Sequence, residues 1–243
     1  MRTRDPAVVE IGAERARVLP WRGSTRTAYL APVPDAPAPS SHFIERCVER
    51  LSSQGYAGVV TPALAPAEQR AFLLAGFEPH EQLHLLAHDL LDLPAFKRGA
   101  TRRARRGDKQ AVLAVDEAAF SSFWQLDRIG LQEALEAVAL TRFRISAAAH
   151  GAPAVKGSVV GYAIAGTAAR QGYLQRLAVD PSHQHEGRGL ALVADALRWM
   201  RRRGAGRAVV NTQLGNEAAL SLYTRAGFRV QPAGLAVLRR ALD

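Results

Sequence analysis

The chain has 243 residues, 48% of them apolar and 22% charged, with a formal net charge of +10; such a length and composition give a sizeable core and exclude wholesale disorder. Its single cysteine, Cys47, excludes an intramolecular disulfide and a Cys-based zinc cluster. No run of about 18 uncharged apolar residues exists, and the start Met1-Arg2-Thr3-Arg4-Asp5 leads into no signal-like apolar stretch, so the expected location is the cytoplasm, with no membrane partner.

From the N-terminus, a Pro-rich loop at 31–39 leads into a helix expected over 41–52. Gly55-Tyr56-Ala57-Gly58-Val59-Val60-Thr61 reads as a valine-rich strand, and the helix after it carries apolar positions at Ala71, Leu74 and Ala75. That helix ends on Gly76, where a left-handed cap is wanted, and Phe77 turns back onto it. Segment 97–109 then holds seven Lys or Arg against one Asp, a net +6. Charge so concentrated between patterned regions reads as a solvated linker or an exposed helix end; a phosphate or nucleic-acid surface is the alternative.

Beyond it, residues 111–116 (AVLAVD) read as a strand, and 117–139 as a helix through Phe120, Phe123, Trp124, Leu126, Ile129, Leu131 and Leu135, interrupted near Gly130. Strands follow at 142–148, 157–164 and 172–179. A helix over 189–203 has the stripe Leu190, Val193, Leu197 and Met200. A strand at 206–212, a helix ending on Gly227-Phe228, and a last strand near 235–239 complete the chain. These elements imply an α/β (α+β) protein, a mixed sheet flanked by helices.

The segment 55–77 recurs at 206–228 with an offset of 151 residues, so the two halves share a strand, loop, helix and turn. The copies are unequal. Only the second is preceded by a Gly-rich turn, Gln184-His185-Glu186-Gly187-Arg188-Gly189, and Phe72 stands where it has Tyr223. The expected organisation is a degenerate partial repeat over 1–95, a basic linker over 96–109 and the chemistry-bearing domain over 110–243.

In that turn a strand opens into a helix through glycines, which allows successive backbone N–H groups to converge on an anion at the positive end of the helix. A tight structural turn explains the same pattern. The surrounding residues, however, resemble the GNAT superfamily of acyl-CoA-dependent N-acyltransferases. Gln184, Gly187 and Gly189 match its Q/R-x-x-G-x-G/A loop, preceded by Leu177-Ala178-Val179-Asp180-Pro181; Asn216, Ala219, Leu222, Tyr223, Gly227 and Phe228 match its second motif. The resemblance covers about residues 110–243 and implies the GNAT fold, with a mostly antiparallel sheet. As in tandem members, the first half corresponds only to the distal part of that fold.

The resemblance further implies acetyl-CoA as acyl-donor cosubstrate and an amine acceptor, on a small molecule or a protein. Leu177, Ala178 and Val179 would receive the pantetheine arm as an added strand. The loop Gln184, His185, Glu186, Gly187, Arg188 and Gly189, with Leu190, would hold the pyrophosphate, and Asn216, Ala219 and Leu222 would complete the donor site. Tyr223 would be the general acid for the leaving thiolate. Arg188 is the expected charged partner of a phosphate; His185 and Glu186 are expected to point outward, and no metal is expected.

An ordinary primary amine near pKa 10.4 is almost wholly protonated at neutral pH, so attack needs a base, a water chain or a desolvating pocket. The strand Tyr173-Leu174-Gln175-Arg176 lacks the carboxylate many relatives have there, which leaves a water held by Tyr173 or Gln175. Trp124 and Asp127 fall in the segment that shapes the acceptor pocket in the family. Asp127 could bind a cationic acceptor or merely face solvent, and Asn216 could equally be only a helix cap. Two other readings stand beside the enzyme: a catalytically silent CoA-binding or interaction module, and a nucleic-acid-binding protein acting through 97–109. The absence of a reader motif counts against the latter. The chain would be a monomer or a homodimer.

Overall fold

The computed structural model describes residues 7–33, 36–95, 100–148 and 158–242. In chain order the elements are β1 (Ala7–Ile11), β2 (Glu14–Pro20), β3 (Thr27–Pro32), α1 (Ser41–Ser53), β4 (Gly58–Leu64), α2 (Pro66–Leu74), β5 (Glu78–His88), β6 (Arg102–Arg103), α3 (Lys109–Ala119) and α4 (Arg128–Glu136). There follow β7 (Leu140–Ala147), β8 (Val159–Ala168), β9 (Gln171–Val179), α5 (Arg188–Arg202), β10 (Arg207–Gln213), α6 (Glu217–Arg225), β11 (Arg229–Val230) and β12 (Leu235–Ala241). Residues 97–99 and Gly157, both part of expected segments, lie outside the described residues.

Two compact units emerge, and neither is a continuous stretch of chain. One comprises residues 1–85, 211–215 and 231–243; the other comprises 86–210 and 216–230. The chain passes between them inside β5 and inside β10.

In the first unit β1, β2 and β3 form an antiparallel meander, β3 runs parallel to β4, and β12 lies antiparallel to both β4 and β5. Helix α1 forms because Ser40 caps it, its Oγ accepting from the Phe43 amide at 3.2 Å, and because Phe43, Ile44, Cys47, Val48 and Leu51 make one buried stripe. Those side chains meet Leu30, Val59, Phe72 and Leu238 in one core.

In the second unit β6, β7, β8 and β9 pair antiparallel, and β9 runs parallel to β10. The fold is thus mixed α/β, with a mostly antiparallel sheet flanked by helices. One face of β8 and β9 is covered by α5 and α6, through Leu192, Val193, Leu197, Met200 and Tyr223. The other face packs Tyr162, Ile164 and Ala178 against Val112 and Val115 of α3 and Leu131 of α4.

Two expectations need correction here. Residues 111–116 are helix, not strand: Val112, Val115 and Asp116 share the buried side of α3, a three- and four-residue spacing that a six-residue apolar run conceals. Of the expected helix over 117–139, only the end of α3 up to Ala119 and α4 are helical. Phe120 is already extended at the end of α3, and Asp127 starts α4 afresh by accepting from the Gly130 amide at 2.7 Å.

The repeat is visible in both helix ends. Gly76 and Gly227 adopt φ of +76° and +95°. Phe77 N donates to Phe72 O and Phe228 N to Tyr223 O, each at 3.0 Å, the Schellman closure. Phe77 then stacks edge-on to Phe72, as Phe228 packs against Tyr223.

Candidate active site

Strands β9 and β10 are paired for only three residues, Gln171 to Tyr173 against Arg207 to Val209, although both continue further. From Leu174 onward that edge of β9 is unpaired. Between β8 and β9 the register breaks: Ile164 faces Arg176 but Ala165 faces Leu174, so Gln175 is the extra residue of a β-bulge. The bulge shifts the alternation of side chains. Leu174, Leu177 and Val179 all reach the core under α5 and α6, whereas Arg176 and Ala178 turn to the α3 side.

The Asp180 amide donates to Val160 O on β8 at 2.9 Å, so by alternation the peptide groups of Val179 and Leu177 face the open edge. The Val179 carbonyl is met there by Gln184 Nε2 at 3.2 Å. Past Gln184 the chain turns through His185, at φ +62°, and Gly187, at φ +77°, into α5. The first backbone bond of that helix joins the Ala191 amide to Gly187 O at 3.0 Å. The amides from His185 to Leu190 donate to no group among the described residues, and the helix adds its positive end. Such a row of donors suits a phosphate.

The two loop glycines do different work. A Cβ on Gly187 would meet open space, so there the positive φ demands glycine. A Cβ on Gly189 would lie 3.0 Å from Leu222 Cδ2, so Gly189 serves the close packing of α5 on α6, in which Leu190 and Ala219 also take part. His185 and Glu186 are exposed.

Arg188 already has partners within the protein. Its Nε donates to Glu186 Oε2 at 2.7 Å and its Nη1 to Ser146 Oγ and Ala147 O at 3.1 and 2.8 Å, which commits the guanidinium to tying the loop to β7. Asn216 caps α6, its Oδ1 accepting from the Ala219 amide at 3.0 Å. Tyr223 is buried among the α5 and α6 side chains. Burial raises the pKa of its phenol well above the ordinary value, with Arg176 acting in the opposite sense, so it is protonated at neutral pH. Its hydroxyl has no hydrogen-bonding partner among the described residues.

On the α3 side, sequence reasoning missed a buried network. Asp116 is wholly buried; its oxygens accept from Arg176 Nε and Nη2 at 2.8 and 2.9 Å, from the Leu126 amide at 2.6 Å, and from the Tyr162 hydroxyl. Arg176 Nη2 also donates to Trp124 O at 2.6 Å, and its guanidinium lies 3.6 Å from the centre of the Phe120 ring. Tyr162, desolvated beside that carboxylate, is held far above its ordinary pKa. The usable signal was Arg176 as the one charged residue of β9, since a buried cation demands a partner. Asp127 is spent on capping α4, Trp124 stacks edge-on to Phe123, and Tyr173 is half-buried beside the bulge. Gln175 Oε1 is buried with no hydrogen-bonding partner among the described residues. Among those residues no group of three His, Cys, Asp or Glu gathers, and no helix is long and apolar enough to cross a membrane.

An open strand edge running into an amide-lined turn suits an extended ligand that ends in a phosphate. Residues 114–228 match the model of the acetyltransferase (GNAT) family and form a GNAT acetyltransferase domain. Among solved structures, a GCN5-related N-acetyltransferase from Sphaerobacter thermophilus is similar with a TM-score of 0.62 at 19% identity, over 94% of this chain and 76% of that one. A tandem GNAT protein from the clavulanic acid biosynthesis pathway gives 0.69 at 15%, over 99% and 85%. A GCN5-related N-acetyltransferase from Kribbella flavida gives 0.61 at 16%, over 96% and 89%. No curated protein matches by sequence. Family and fold together support an acyl-CoA N-acetyltransferase in general terms.

Proposed function

We propose that the chain transfers an acetyl group from acetyl-CoA to a primary amine of a small molecule or protein, by direct attack within a ternary complex. The observation that carries this reading is the row of unclaimed amides from His185 to Leu190 at the end of the unpaired edge of β9. Acetyl-CoA supplies the activated thioester. Leu177 and Val179 would hold the pantetheine arm through their peptide groups, the amides of the loop its pyrophosphate, and Asn216, Ala219 and Leu222 the far wall. Tyr223, kept protonated by burial, would give its proton to the departing thiolate as the amine nitrogen takes the acyl carbon. The proton shed by the amine would leave through a water held by Tyr173 or by Gln175, whose Oε1 lacks a partner among the described residues. Trp124 belongs to the segment that would wall the acceptor.

In this reading residues 1–95 are a catalytically silent half, 96–109 a linker, and the working location the cytoplasm. Of the basic linker, Arg102 is already bonded in bidentate fashion to Asp108, which reduces its free charge. Calorimetry of acetyl-CoA with the wild type and Gly187→Trp, followed by thiol release over an amine panel, tests the proposal. Binding by the wild type and none by the folded variant supports it; no binding by the wild type refutes it. A second ligand-binding mode through nucleic acid would instead show as steeply salt-dependent affinity.

A further inference from the structure

Arg176 does more than neutralise Asp116. Its three hydrogen bonds, through Nε and Nη2, go to Asp116 and Trp124 O, and Phe120 closes one face of the guanidinium. Nη1 has no partner among the described residues, yet it is not one of the sealed, unsatisfied atoms of the fold. The side chain keeps 11% of its surface exposed. An arginine clamped on two nitrogens and open on the third is a preorganised donor, since the entropy of fixing it has already been lost on folding.

Its surroundings suit an anionic group. Residues 120–127 bring aromatic rings and no basic side chain, and the carboxylate of that segment, Asp127, is turned to the Gly130 amide. Asp116 is occupied on both oxygens. Neither of these two carboxylates is therefore left to attract an ammonium group, whereas a donor to oxygen is. The residue follows the bulge at Gln175 and precedes Leu177, so it sits at the inner end of the open edge, and its charge is felt by the Tyr223 phenol.

We propose that Arg176 Nη1 recognises a carboxylate on the acceptor, so that the amine substrate is of the amino-acid class. The inference rests on the acyltransferase reading above. A fixed cation there also disfavours the ammonium form of an amine bound next to it, which assists a site without a carboxylate base.

The test is calorimetric titration of the N-acetyl derivatives of the common amino acids, and of the matching carboxamides, into the full chain with and without CoA. The expected result is binding of at least one N-acetyl amino acid, about ten-fold or more tighter than its carboxamide, as the loss of one charge-assisted bond dictates. Arg176→Lys, which keeps a cation for Asp116, should abolish that preference while CoA affinity stays within about two-fold. Equal binding of acid and amide, or no binding of any N-acetyl amino acid, overturns the inference. If the lysine variant fails to fold, the comparison of acid with amide on the wild type decides alone. A chain that ignores CoA but still prefers the acid would sink the donor reading and leave Arg176 as a carboxylate site.

Discussion

His88 Nε2 lies 3.1 Å from the carbonyl oxygen of Ala226, a residue 138 positions away, and supplies the missing donor at the end of α6. The Leu90 amide donates to His88 Nδ1 at 2.8 Å, so Nε2 carries the hydrogen and the ring is neutral. Gly227 makes room for this contact: a Cβ there would stand 2.8 Å from His88 Nε2, at a backbone φ of +95°. Gly227→Ala should therefore combine backbone strain with a clash and cost about 2 kcal/mol or more. Urea unfolding is the measurement; a change below about 0.5 kcal/mol would mean that the cap is not fitted as described.

The same histidine makes a prediction about pH. Burial lowers its pKa below 6.5, outweighing the nearby Asp89. A depressed value in the folded state means that the unfolded chain binds the extra proton first. The stabilisation is complete above pH 6.5 and is lost as pH falls through that value toward the folded-state pKa. His88→Gln, which keeps a donor but does not titrate, should flatten the fall in stability below about pH 6.5. Melting temperatures of both proteins from neutral pH downward check it.

Local chemistry explains what could be read without coordinates. Gly76 and Gly227 end helices because only a left-handed residue closes them, and Asn216 and Ser40 begin helices through their own side chains; each signal lies within four residues of its effect. The stretch 111–116 misled because its alanines and valines satisfy either period over so short a run, and what decides is Asp116. Its partners Arg176 and Tyr162 lie 60 and 46 residues away. No local pattern announces that pairing. Nor could spacing show that Arg188 is tied to β7, or that Gly189 packs closely against Leu222.

Gly187 and Gly189 should separate cleanly. In Gly189→Val the side chain enters the space of Leu222 Cδ2, which a Cβ alone would approach to 3.0 Å, and overpacking of α5 on α6 should cost about 1–3 kcal/mol. Gly187→Ala meets no neighbour and bears only the cost of φ +77°, about 1 kcal/mol. Thermal melts of the two, side by side, test the ranking. The reverse order would remove the packing role assigned to Gly189.

The first unit depends on the last residues of the chain. Strand β12 brings the buried Ala236, Val237 and Leu238 between β4 and β5, the Leu238 amide donates to the buried Thr61 Oγ1 at 2.9 Å, and Arg240 donates to Ala75 O at the end of α2. Ending the chain at Val230 exposes the facing edges of β4 and β5 and opens the core around Leu64 and Phe72. Limited proteolysis should then cut within residues 7–85, which in the full chain stay protected. Equal protection would show that β12 adds nothing to that unit.

Tyr223→Phe isolates chemistry from folding. The hydroxyl has no hydrogen-bonding partner among the described residues, so its removal leaves no orphaned group, while the ring keeps its place beside Phe228 at 5.7 Å. Stability should change by less than about 1 kcal/mol, and acetyl-CoA should still bind, because the peptide groups of β9 and the loop are untouched. If the phenol protonates the leaving thiolate, the turnover number should fall about 10² to 10⁴-fold with the donor KM almost unchanged. Phenylalanine at this position reproduces Phe72 of the first half, so the variant also asks whether one oxygen atom separates the two copies. Unchanged turnover would assign the proton to water and leave Tyr223 as core; lost donor binding would place its hydroxyl in the binding of acetyl-CoA instead.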